Sequence, residues 1–366
     1  MKVLFLTTVP SPYRVDFFES LGKLCDLTVL YESKVASYRE KDWMMTQASN
    51  YKSNYLEGKT VRGTFFPTNL KQQLFNSEYD IYVISGYSTL ADMLAIYYLK
   101  REGKAFLLSC DGALQRSEST FKYNIKRKLI SSASGWLSTG DVTDEFLMHY
   151  GVQKDKIYFY PFTSIHNNEI LDNSVGVAEK RQLRSKLDLK EEKIILTVGQ
   201  FIHRKGIDVL LEASKNLTKE YGFYIIGGNP TSEYLEFVRN HKLTNVHFIS
   251  FKSKKELIKY YMAADLFVLP TREDIWGLVV NEAMACGLPV ITTDRCVAGL
   301  ELIKDGINGY IVPVEDSEAI AHSIKGYYSD SGNYSYMSNN CLNTIRSYTI
   351  EKMAARHFEI FKKLYD

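Results

Sequence analysis

The stretch from Asp265 to Thr293 constrains the fold of this chain more than any other. It opens with a short apolar run, Leu266 to Leu269, and closes with a second one, Val290 to Thr293. Between these runs lie a turn-rich loop and a segment with helical periodicity, bounded by Gly277 and Gly287. The sequence therefore predicts a strand, a loop, a helix and a strand. The loop should lie at the carboxyl edge of a parallel sheet, where open α/β sheets bind ligands.

Two carboxylates mark this predicted site. Asp274 lies in the loop and Glu282 lies in the helix. The first backbone amides of the helix, those of Gly277, Leu278 and Val279, have no partner within the helix and suit a phosphate group. Alternatively, Asp274 is only a charge near a helix start and Glu282 only a solvated helix residue. The nearly all-apolar surroundings of Glu282 argue against that alternative, because they leave little room for a solvated face.

The run from Arg272 to Ile291 resembles the donor-site signature of retaining glycosyltransferases of family 4. That family has the GT-B fold and uses nucleotide sugars without a metal ion. The resemblance implies that Glu282 contacts the ribose and that Asp274 contacts the sugar hydroxyls. The family usually has Glu at the position of Asp274, so Glu273 is an alternative for this role. The resemblance also assigns donor contacts to Ile275, Trp276, Gly277, Leu278 and Val279.

Length and composition set broad limits on the class of protein. The chain has 366 residues, enough for two domains, with 45% hydrophobic and 24% charged residues. A formal net charge of +2 gives no argument for nucleic-acid binding. Five cysteines, odd in number and without a CxxC pair, indicate free thiols. The apolar run near the N-terminus is read as a first strand, and no run of about 18 apolar residues is present. We expect a cytoplasmic protein, either free or peripheral on the inner face of a membrane.

Strand and helix signals alternate along the chain, which predicts an α/β fold with parallel sheets. Predicted strands are Val3 to Thr7, Leu27 to Tyr31, Ile81 to Ile84, Phe106 to Ser109, Ile157 to Tyr160, Ile194 to Val198, Phe223 to Ile226, Val246 to Ile249, Leu266 to Leu269 and Val290 to Thr293. Predicted helices include Val15 to Leu24, Leu90 to Lys100, Asp144 to Tyr150 and Ile350 to Leu364.

The alternation stops after Pro161 and then restarts, which predicts two Rossmann-like domains. We expect an N-terminal acceptor-side domain over 1–165, a nucleotide-sugar-binding domain over 166–348, and a final helix over 349–366 that packs on the first domain. The polar stretch from Ser164 to Val177 is predicted to be the linker. The connection from Glu32 to Phe66, which contains Trp43, is predicted to be irregular. The resemblance to GT-B enzymes implies two doubly wound parallel sheets that face a central cleft.

A second phosphate signal opens the second half of the chain. The segment TVGQFIHRKGIDVLLEA predicts a strand, a glycine turn, a basic pair and a helix. Arg204 and Lys205 should therefore lie near a helix N-terminus, where their charges can neutralise a diphosphate. A basic pair in a loop is otherwise usually solvated surface. The resemblance makes Lys205 a diphosphate contact, and it often places an arginine where this chain has Gln200, so Arg204 is the expected replacement.

Other predicted site residues carry weaker signals. Gly228 follows a strand in a glycine turn, and Phe251 with Lys252 follows the next strand, where the resemblance places the loop against the nucleotide base. In the first half, the stretch Pro10 to Arg14 and Asp111 follow strand ends and should face the cleft. Relatives often carry a histidine near Asp111, which is a candidate catalytic residue here or, alternatively, a helix cap. His166 and His203 are interpreted as surface residues.

The segment from Phe121 to Leu137 joins basic and apolar residues at helical spacing. A basic amphipathic helix is typical of membrane-surface contact, although such a helix more often packs on its own domain. Membrane contact would suit an enzyme whose acceptor is linked to a lipid.

The favoured function is a retaining glycosyltransferase that takes sugar from a UDP- or GDP-sugar and transfers it to a lipid-linked or free saccharide during surface polysaccharide synthesis. In this interpretation Asp274, Glu282, Lys205, Arg204 and Asp111 are the catalytic candidates. No cofactor, metal or nucleic acid is expected. Two alternatives use the same fold: a nucleotide-sugar-binding subunit without its own activity, and a nucleotide-sugar epimerase.

Overall fold

A computed structural model of the protein describes residues 1–33, 49–329 and 333–365. The chain forms two compact units. The first combines Met1–Ser164 with Thr349–Asp366, and the second is Ile165–Tyr348. The sequence-based division was 1–165 and 166–348, with 349–366 returning to the first domain.

The first unit is built on a parallel sheet. The strands of the unit are β1 (Lys2–Thr7), β2 (Asp26–Tyr31), β3 (Lys52–Tyr55), β4 (Gly58–Val61), β5 (Thr64–Pro67), β6 (Ile81–Ile84), β7 (Leu107–Cys110), β8 (Gly135–Ser138) and β9 (Ile157–Phe159). Of these, β4 and β5 form a separate two-stranded sheet. The helices of the unit are α1 (Pro12–Gly22), α2 (Leu70–Leu74), α3 (Leu90–Arg101), α4 (Thr120–Ile130) and α5 (Asp141–His149). Within the described residues the sheet has the order β3-β2-β1-β6-β7-β8-β9.

Continuous apolar runs form the central strands because helices cover both faces of a parallel sheet. The side chains of β6, β7 and β8 are buried throughout, and those of β1 and β2 are buried after the first residue. Local signals fix the helix ends as well. Thr89 and Asp92 form a capping box at the start of α3, each side chain bonding the other residue's backbone amide. The five predicted strands of this unit are present in the predicted order, and β3, β4, β5 and β8 are additional strands that were not predicted.

The described part of the connection from Glu32 to Phe66 is largely regular after residue 49, so the prediction of an irregular segment was wrong there. It contributes the edge strand β3, which pairs with β2, and a hairpin formed by β4 and β5. Arg62 and Gly63 have φ values of 50° and 80°, as a two-residue hairpin turn of type I′ requires. These strands were missed because their side chains are largely exposed and provide no apolar run. Trp43 and the rest of 34–48 lie outside the described residues.

The segment from Phe121 to Leu137 is not a single helix either. Helix α4 ends at Ile130, and the residues from Gly135 onward form β8. Gly135 pairs with Leu107 in the neighbouring strand. The basic residues of the segment all belong to the helical part.

The second unit contains one parallel sheet with helices between its strands. The strands are β10 (Lys193–Val198), β11 (Tyr221–Ile226), β12 (Val246–Ile249), β13 (Leu266–Leu269), β14 (Val290–Thr293) and β15 (Gly309–Val312). The helices are α6 (Val177–Leu187), α7 (Ile207–Ser214), α8 (Ser232–Asn240), α9 (Lys254–Ala263), α10 (Leu278–Ala285), α11 (Val297–Leu302), α12 (Ser317–Ser329) and α13 (Asn333–Ile345). Among the described residues, the sheet order is β12-β11-β10-β13-β14-β15.

This strand order is that of the Rossmann fold. The order reverses between β10 and β13, which are hydrogen-bonded neighbours. Ligands of such sheets bind in the crevice outside the carboxyl ends of the strands at this switch point. The loops that follow β10 and β13 are therefore where a ligand site is expected.

The last helix, α14 (Ile350–Tyr365), belongs to the first unit and packs on α1. His357 is buried in this contact, with its ring centroid 4.7 Å from that of Phe17 and 4.5 Å from that of Tyr160. Burial lowers the pKa of His357 to about 3, and the nearby positive charge of Arg14 acts in the same direction. The imidazole is therefore neutral in the folded unit.

The predicted linker packs on the second unit rather than lying free. Ile165 and Val175 are buried, and the amide of Leu171 donates to the carbonyl of Ala285 at 3.0 Å. Within the part of the chain that the structure describes, no helix is long and apolar enough to cross a membrane.

Candidate active site

The loops after β10 and β13 are joined by hydrogen bonds at the switch point. The carbonyl of Arg204 accepts a bond from the amide of Arg272 at 2.8 Å and one from the hydroxyl of Thr271 at 3.0 Å. The guanidinium of Arg204 donates in return to the carbonyl of Glu273 at 2.8 Å. These bonds set the basic pair of one loop directly against the acidic residues of the other.

Lys205 and Asp274 form an ion pair between the two loops. Their side chains are only 12% and 11% exposed, so the pair is largely shielded from water. Arg204 lies 3.4 Å from the second oxygen of Asp274 and is 45% exposed. The site thus holds two cations around one carboxylate, and it keeps net positive charge available to an anionic ligand.

Two glycines allow this close approach. Gly206 has φ 66°, and a Cβ there would lie 2.0 Å from the carbonyl oxygen of Pro270. Gly277 has φ 106°, and its Cβ would lie 2.8 Å from the sulfur of Cys296. Both positions favour glycine for conformation and for space. A larger residue at Gly206 would push apart the loops that carry Lys205 and Asp274, and one at Gly277 would push the start of α10 away from the segment after β14.

The backbone of Asp274 is fixed by the segment after β14. Its amide donates to the carbonyl of Arg295 at 2.9 Å, and its carbonyl accepts from the amide of Val297 at 3.1 Å. The carboxylate of Glu273 lies 3.8 Å from the guanidinium of Arg295. Both acidic residues are therefore held at the site, and the choice between them for the sugar hydroxyls stays open.

Helix α10 begins directly after this loop. Gly277 is its N-cap, no side chain among the described residues caps the first turn, and the sequence of that turn has no acidic residue. The helix dipole and the first amides thus favour an anion at this end. Ile275 is 53% exposed beside the helix start, whereas Trp276 is buried and its indole donates to Asn281 at 2.8 Å. The side chain of Trp276 therefore forms part of the wall beneath the site.

Glu282 lies one turn further along α10. The buried hydroxyl of Tyr261 donates to its carboxylate at 3.0 Å. Both residues line a small pocket between α9 and α10, which Glu169 and Lys254 also line. Glu169 and Lys254 form an ion pair with a separation of 2.7 Å. Glu282 is consequently a partly buried carboxylate beside a pocket, as expected for a ligand contact.

The remaining predicted donor residues follow β10, β11 and β12 at the same edge of the sheet. Gln200 is exposed, Phe251 is 50% exposed and Lys252 is partly buried. Gly228 has φ 106°, and a Cβ there would lie more than 4 Å from the atoms of the described residues. At the preceding residue, Gly227, a Cβ would lie 1.8 Å from the carbonyl oxygen of Gly199. The glycine turn thus brings the β10 and β11 loops into direct contact.

Asp111 belongs to a different cluster, in the first unit. It forms an ion pair with Arg14 and accepts a hydrogen bond of 2.6 Å from the hydroxyl of Tyr160. Arg14 is buried, and its guanidinium is paired with Asp111 within the first unit. Asp111 is partly buried and neutralises this internal cation. A structural role for Asp111 therefore stands beside the predicted catalytic one.

Sequence reasoning missed two residues that organise the second unit. Arg272 donates to both oxygens of Asp208, at 2.8 and 2.6 Å, and also binds Glu315. Tyr261 supports Glu282 from a neighbouring helix. Arg272 lies within the donor signature, so its charge was a usable signal. Tyr261 had no comparable signal in the sequence, because its hydrogen bond to Glu282 depends on how α9 packs against α10.

The two Rossmann-like units define the GT-B class of glycosyltransferase folds, and the predicted fold class is confirmed. A solved structure of HepE from Anabaena, in complex with UDP, matches this chain with a TM-score of 0.80 and 15% sequence identity. The match covers 99% of this chain and 100% of that one.

Sequence comparisons narrow the class further. Residues 179–343 match the family described as Glycosyl transferases group 1. An uncharacterized glycosyltransferase of Methanocaldococcus jannaschii is 30% identical over 201 residues, 52% of this chain and 50% of that protein. The N,N'-diacetylbacillosaminyl-diphospho-undecaprenol alpha-1,3-N-acetylgalactosaminyltransferase of Campylobacter jejuni is 22% identical over 255 residues, 67% of this chain and 66% of that protein. The chain thus spans about half to two thirds of the length of these relatives. The residues that match the group 1 glycosyl transferases lie within the second unit, and these comparisons confirm the resemblance to GT-B glycosyltransferases.

Proposed function

We propose that this protein is a retaining glycosyltransferase of the family 4 type, which transfers a sugar from a UDP- or GDP-sugar to a saccharide acceptor. The observation that carries the proposal is the Lys205–Asp274 pair beside the start of α10, at the switch point of the sheet. Cations, a helix N-terminus and a carboxylate meet there. This combination suits a diphosphate joined to a sugar.

Each group has a defined role in the proposed reaction. Lys205, Arg204 and the first amides of α10 bind the diphosphate, Asp274 or Glu273 binds sugar hydroxyls, and Glu282 binds the ribose. As the bond between the sugar carbon and the phosphate oxygen breaks, negative charge builds on the leaving group. Positive groups aimed there stabilise the transition state more than the bound donor.

The acceptor hydroxyl attacks the anomeric carbon of the sugar from the same face as the one from which the diphosphate departs. The departing phosphate oxygen takes the acceptor proton, so the new glycosidic bond keeps the configuration of the donor and no side-chain base is required. The positive charge of Lys205 and Arg204 makes departure feasible without a metal ion. UDP as the nucleotide is supported by the similar HepE structure, which was solved in complex with UDP.

A lipid-linked saccharide acceptor is supported by two observations. The Campylobacter relative is named for a diphospho-undecaprenol acceptor. In addition, α4 exposes 74% of Phe121 and 41% of Ile125 beside the exposed basic residues Lys122 and Lys128. Apolar side chains next to lysines suit the headgroup region of an anionic bilayer. We therefore include a peripheral contact of α4 with the membrane, and surface polysaccharide synthesis, in the proposed function.

The membrane contact is tested by sedimentation with vesicles. The wild-type protein should sediment with phosphatidylglycerol vesicles more than with phosphatidylcholine vesicles, and Phe121→Ser with Ile125→Ser should abolish most of the difference. Val61→Ser, which alters another exposed apolar residue, is the matched control. Equal sedimentation of the double variant and the wild type would remove α4 from the proposal.

The transferase proposal is tested with a panel of UDP- and GDP-sugars. Binding is followed by thermal shift, because a ligand of the folded state raises the melting temperature. Release of nucleoside diphosphate is measured separately, with and without undecaprenyl-diphosphate saccharides. Binding together with acceptor-dependent release is the expected result. Binding without release from any donor would favour the non-catalytic binding subunit, and sugar interconversion without transfer would favour an epimerase.

A further inference from the structure

Tyr261 has a buried hydroxyl whose hydrogen bond leads directly to the candidate donor site. The residue lies on α9 and is only 2% exposed. Its hydroxyl donates to Glu282 Oε2 at 3.0 Å. A phenol that is buried without a partner costs free energy, so this bond contributes to the stability of the unit.

The same bond constrains Glu282. A carboxylate has two oxygens and accepts several hydrogen bonds, so the bond from Tyr261 to one oxygen is compatible with additional contacts to a ligand. Burial, followed by the charge of Glu282, raises the pKa of Tyr261 well above its ordinary value. The proton therefore stays on the tyrosine, which acts as the donor to Glu282.

The pocket on which Glu282 borders lies between the two helices that this bond connects. Leu257 and Ile258 precede Tyr261 by one turn of α9, and Ala285 with the C-cap Cys286 lies about one turn after Glu282 at the end of α10. These four residues give the pocket wall a mostly apolar character. The tyrosine hydroxyl is thus a fixed polar support in that wall.

We infer that Tyr261 is a positioning residue for nucleotide binding: it holds the Glu282 carboxylate in the orientation that accepts hydrogen bonds from two adjacent ribose hydroxyls. This inference rests on the proposed function, in which Glu282 binds the ribose. Because the carboxylate is held, the site should favour ribonucleotides over nucleotides that lack the 2′-hydroxyl. Tyr261 itself does not contact the reacting atoms, so its effect should fall on donor affinity rather than on the chemical step.

The test compares Tyr261→Phe with Tyr260→Phe, the same substitution at the adjacent residue of α9. Tyr260 is also buried, and the hydroxyl that bonds Glu282 is that of Tyr261. Dissociation constants of UDP, GDP and their 2′-deoxy forms are measured by calorimetry for both variants, for Glu282→Gln and for the double variant. Melting curves establish that each variant is folded, and phenylalanine preserves the packing of the ring.

We expect Tyr261→Phe to weaken binding of the preferred ribonucleotide about threefold to tenfold, as for one lost hydrogen bond, and Tyr260→Phe to change it less than about twofold. In the Glu282→Gln background, Tyr261→Phe should have less than about a twofold effect, because the two residues act through one bond. In turnover assays Tyr261→Phe should raise KM for the donor and leave kcat unchanged.

The two possible failures are distinguishable. If Glu282→Gln weakens binding but Tyr261→Phe behaves like Tyr260→Phe, the positioning role is refuted and the proposed function stands. The positioning role is also refuted if Tyr261→Phe weakens nucleotide binding by the same factor in the Glu282→Gln background as in the wild type. If Glu282→Gln leaves the affinity unchanged, the ribose contact in the proposed function is wrong, and the inference about Tyr261 falls with it.

Discussion

Replacing Lys205 perturbs the proposed reaction where charge develops. The ammonium group is paired with Asp274 in a site where both side chains are largely buried. At an effective dielectric constant of about 20, two unit charges about 4 Å apart interact by about 4 kcal/mol. If about half a unit of charge is added to the diphosphate in the transition state, Lys205 lowers the barrier by about 2 kcal/mol, which is about thirtyfold in rate. Lys205→Ala should therefore lower kcat within a range of about tenfold to a thousandfold.

The assay is steady-state release of nucleoside diphosphate with saturating donor and acceptor. Lys205→Met retains most of the apolar stem, which lies alongside Gly199, and separates loss of charge from loss of packing. Lys215→Ala is a control for removing a lysine from the same unit, because that lysine pairs with Glu212 at the surface. Melting curves report any destabilisation caused by leaving Asp274 with Arg204 alone. Unchanged kcat and donor affinity in both Lys205 variants would refute the assignment of this lysine to the diphosphate.

Three further predictions concern metal ions and pH. Turnover should survive excess EDTA, because Lys205, Arg204 and the start of α10 supply the positive charge; complete loss that magnesium or manganese restores would contradict this. Burial lowers the pKa of His357 to about 3, so below a pH of about 6.5 the unfolded chain binds one more proton than the folded chain. The free energy of unfolding should therefore fall by about 1.4 kcal/mol per pH unit as the pH decreases toward 3. His357→Gln should flatten that slope in urea titrations, whereas the exposed-residue control His241→Gln should not. Burial raises the pKa of Glu32 to about 7, so the folded chain binds the extra proton between pH of about 4.5 and 7. The free energy of unfolding should therefore fall as the pH rises through this range, and Glu32→Gln should remove that decrease. Identical pH profiles for variant and wild type would contradict either assignment.

Much of the fold was predictable because buried parallel strands have a local sequence signature. The runs of β1, β2, β6, β10 and β13 are largely apolar, and Gly277 and Gly287 mark the limits of α10 as expected. The strands β3, β4 and β5 could not be found this way. Their side chains largely face solvent, and their pairing partners decide their conformation. An apolar run indicates a buried strand, and the side chains of these three strands are largely exposed.

For the candidate site, the sequence could place single residues at an edge of a sheet but could not give their arrangement. Lys205 and Asp274 could each be assigned to the carboxyl edge of a sheet, yet their direct pairing depends on β10 and β13 being neighbours. The hydrogen bond from Tyr261 to Glu282 likewise joins two helices and has no local signal. Strand order and helix packing are long-range properties. A single sequence constrains them only through the general rules of parallel sheets.

The stereochemistry of the product tests the central proposal most directly. A donor of defined α configuration, taken from the panel that the protein binds, is incubated with enzyme and saccharide acceptor, and the new linkage is examined by proton NMR at the anomeric carbon. Departure and attack on one face of the sugar predict an α-linked product. A β-linked product would contradict the retaining mechanism, and the absence of a glycosidic product from any bound donor and lipid-linked acceptor would contradict the transferase function itself.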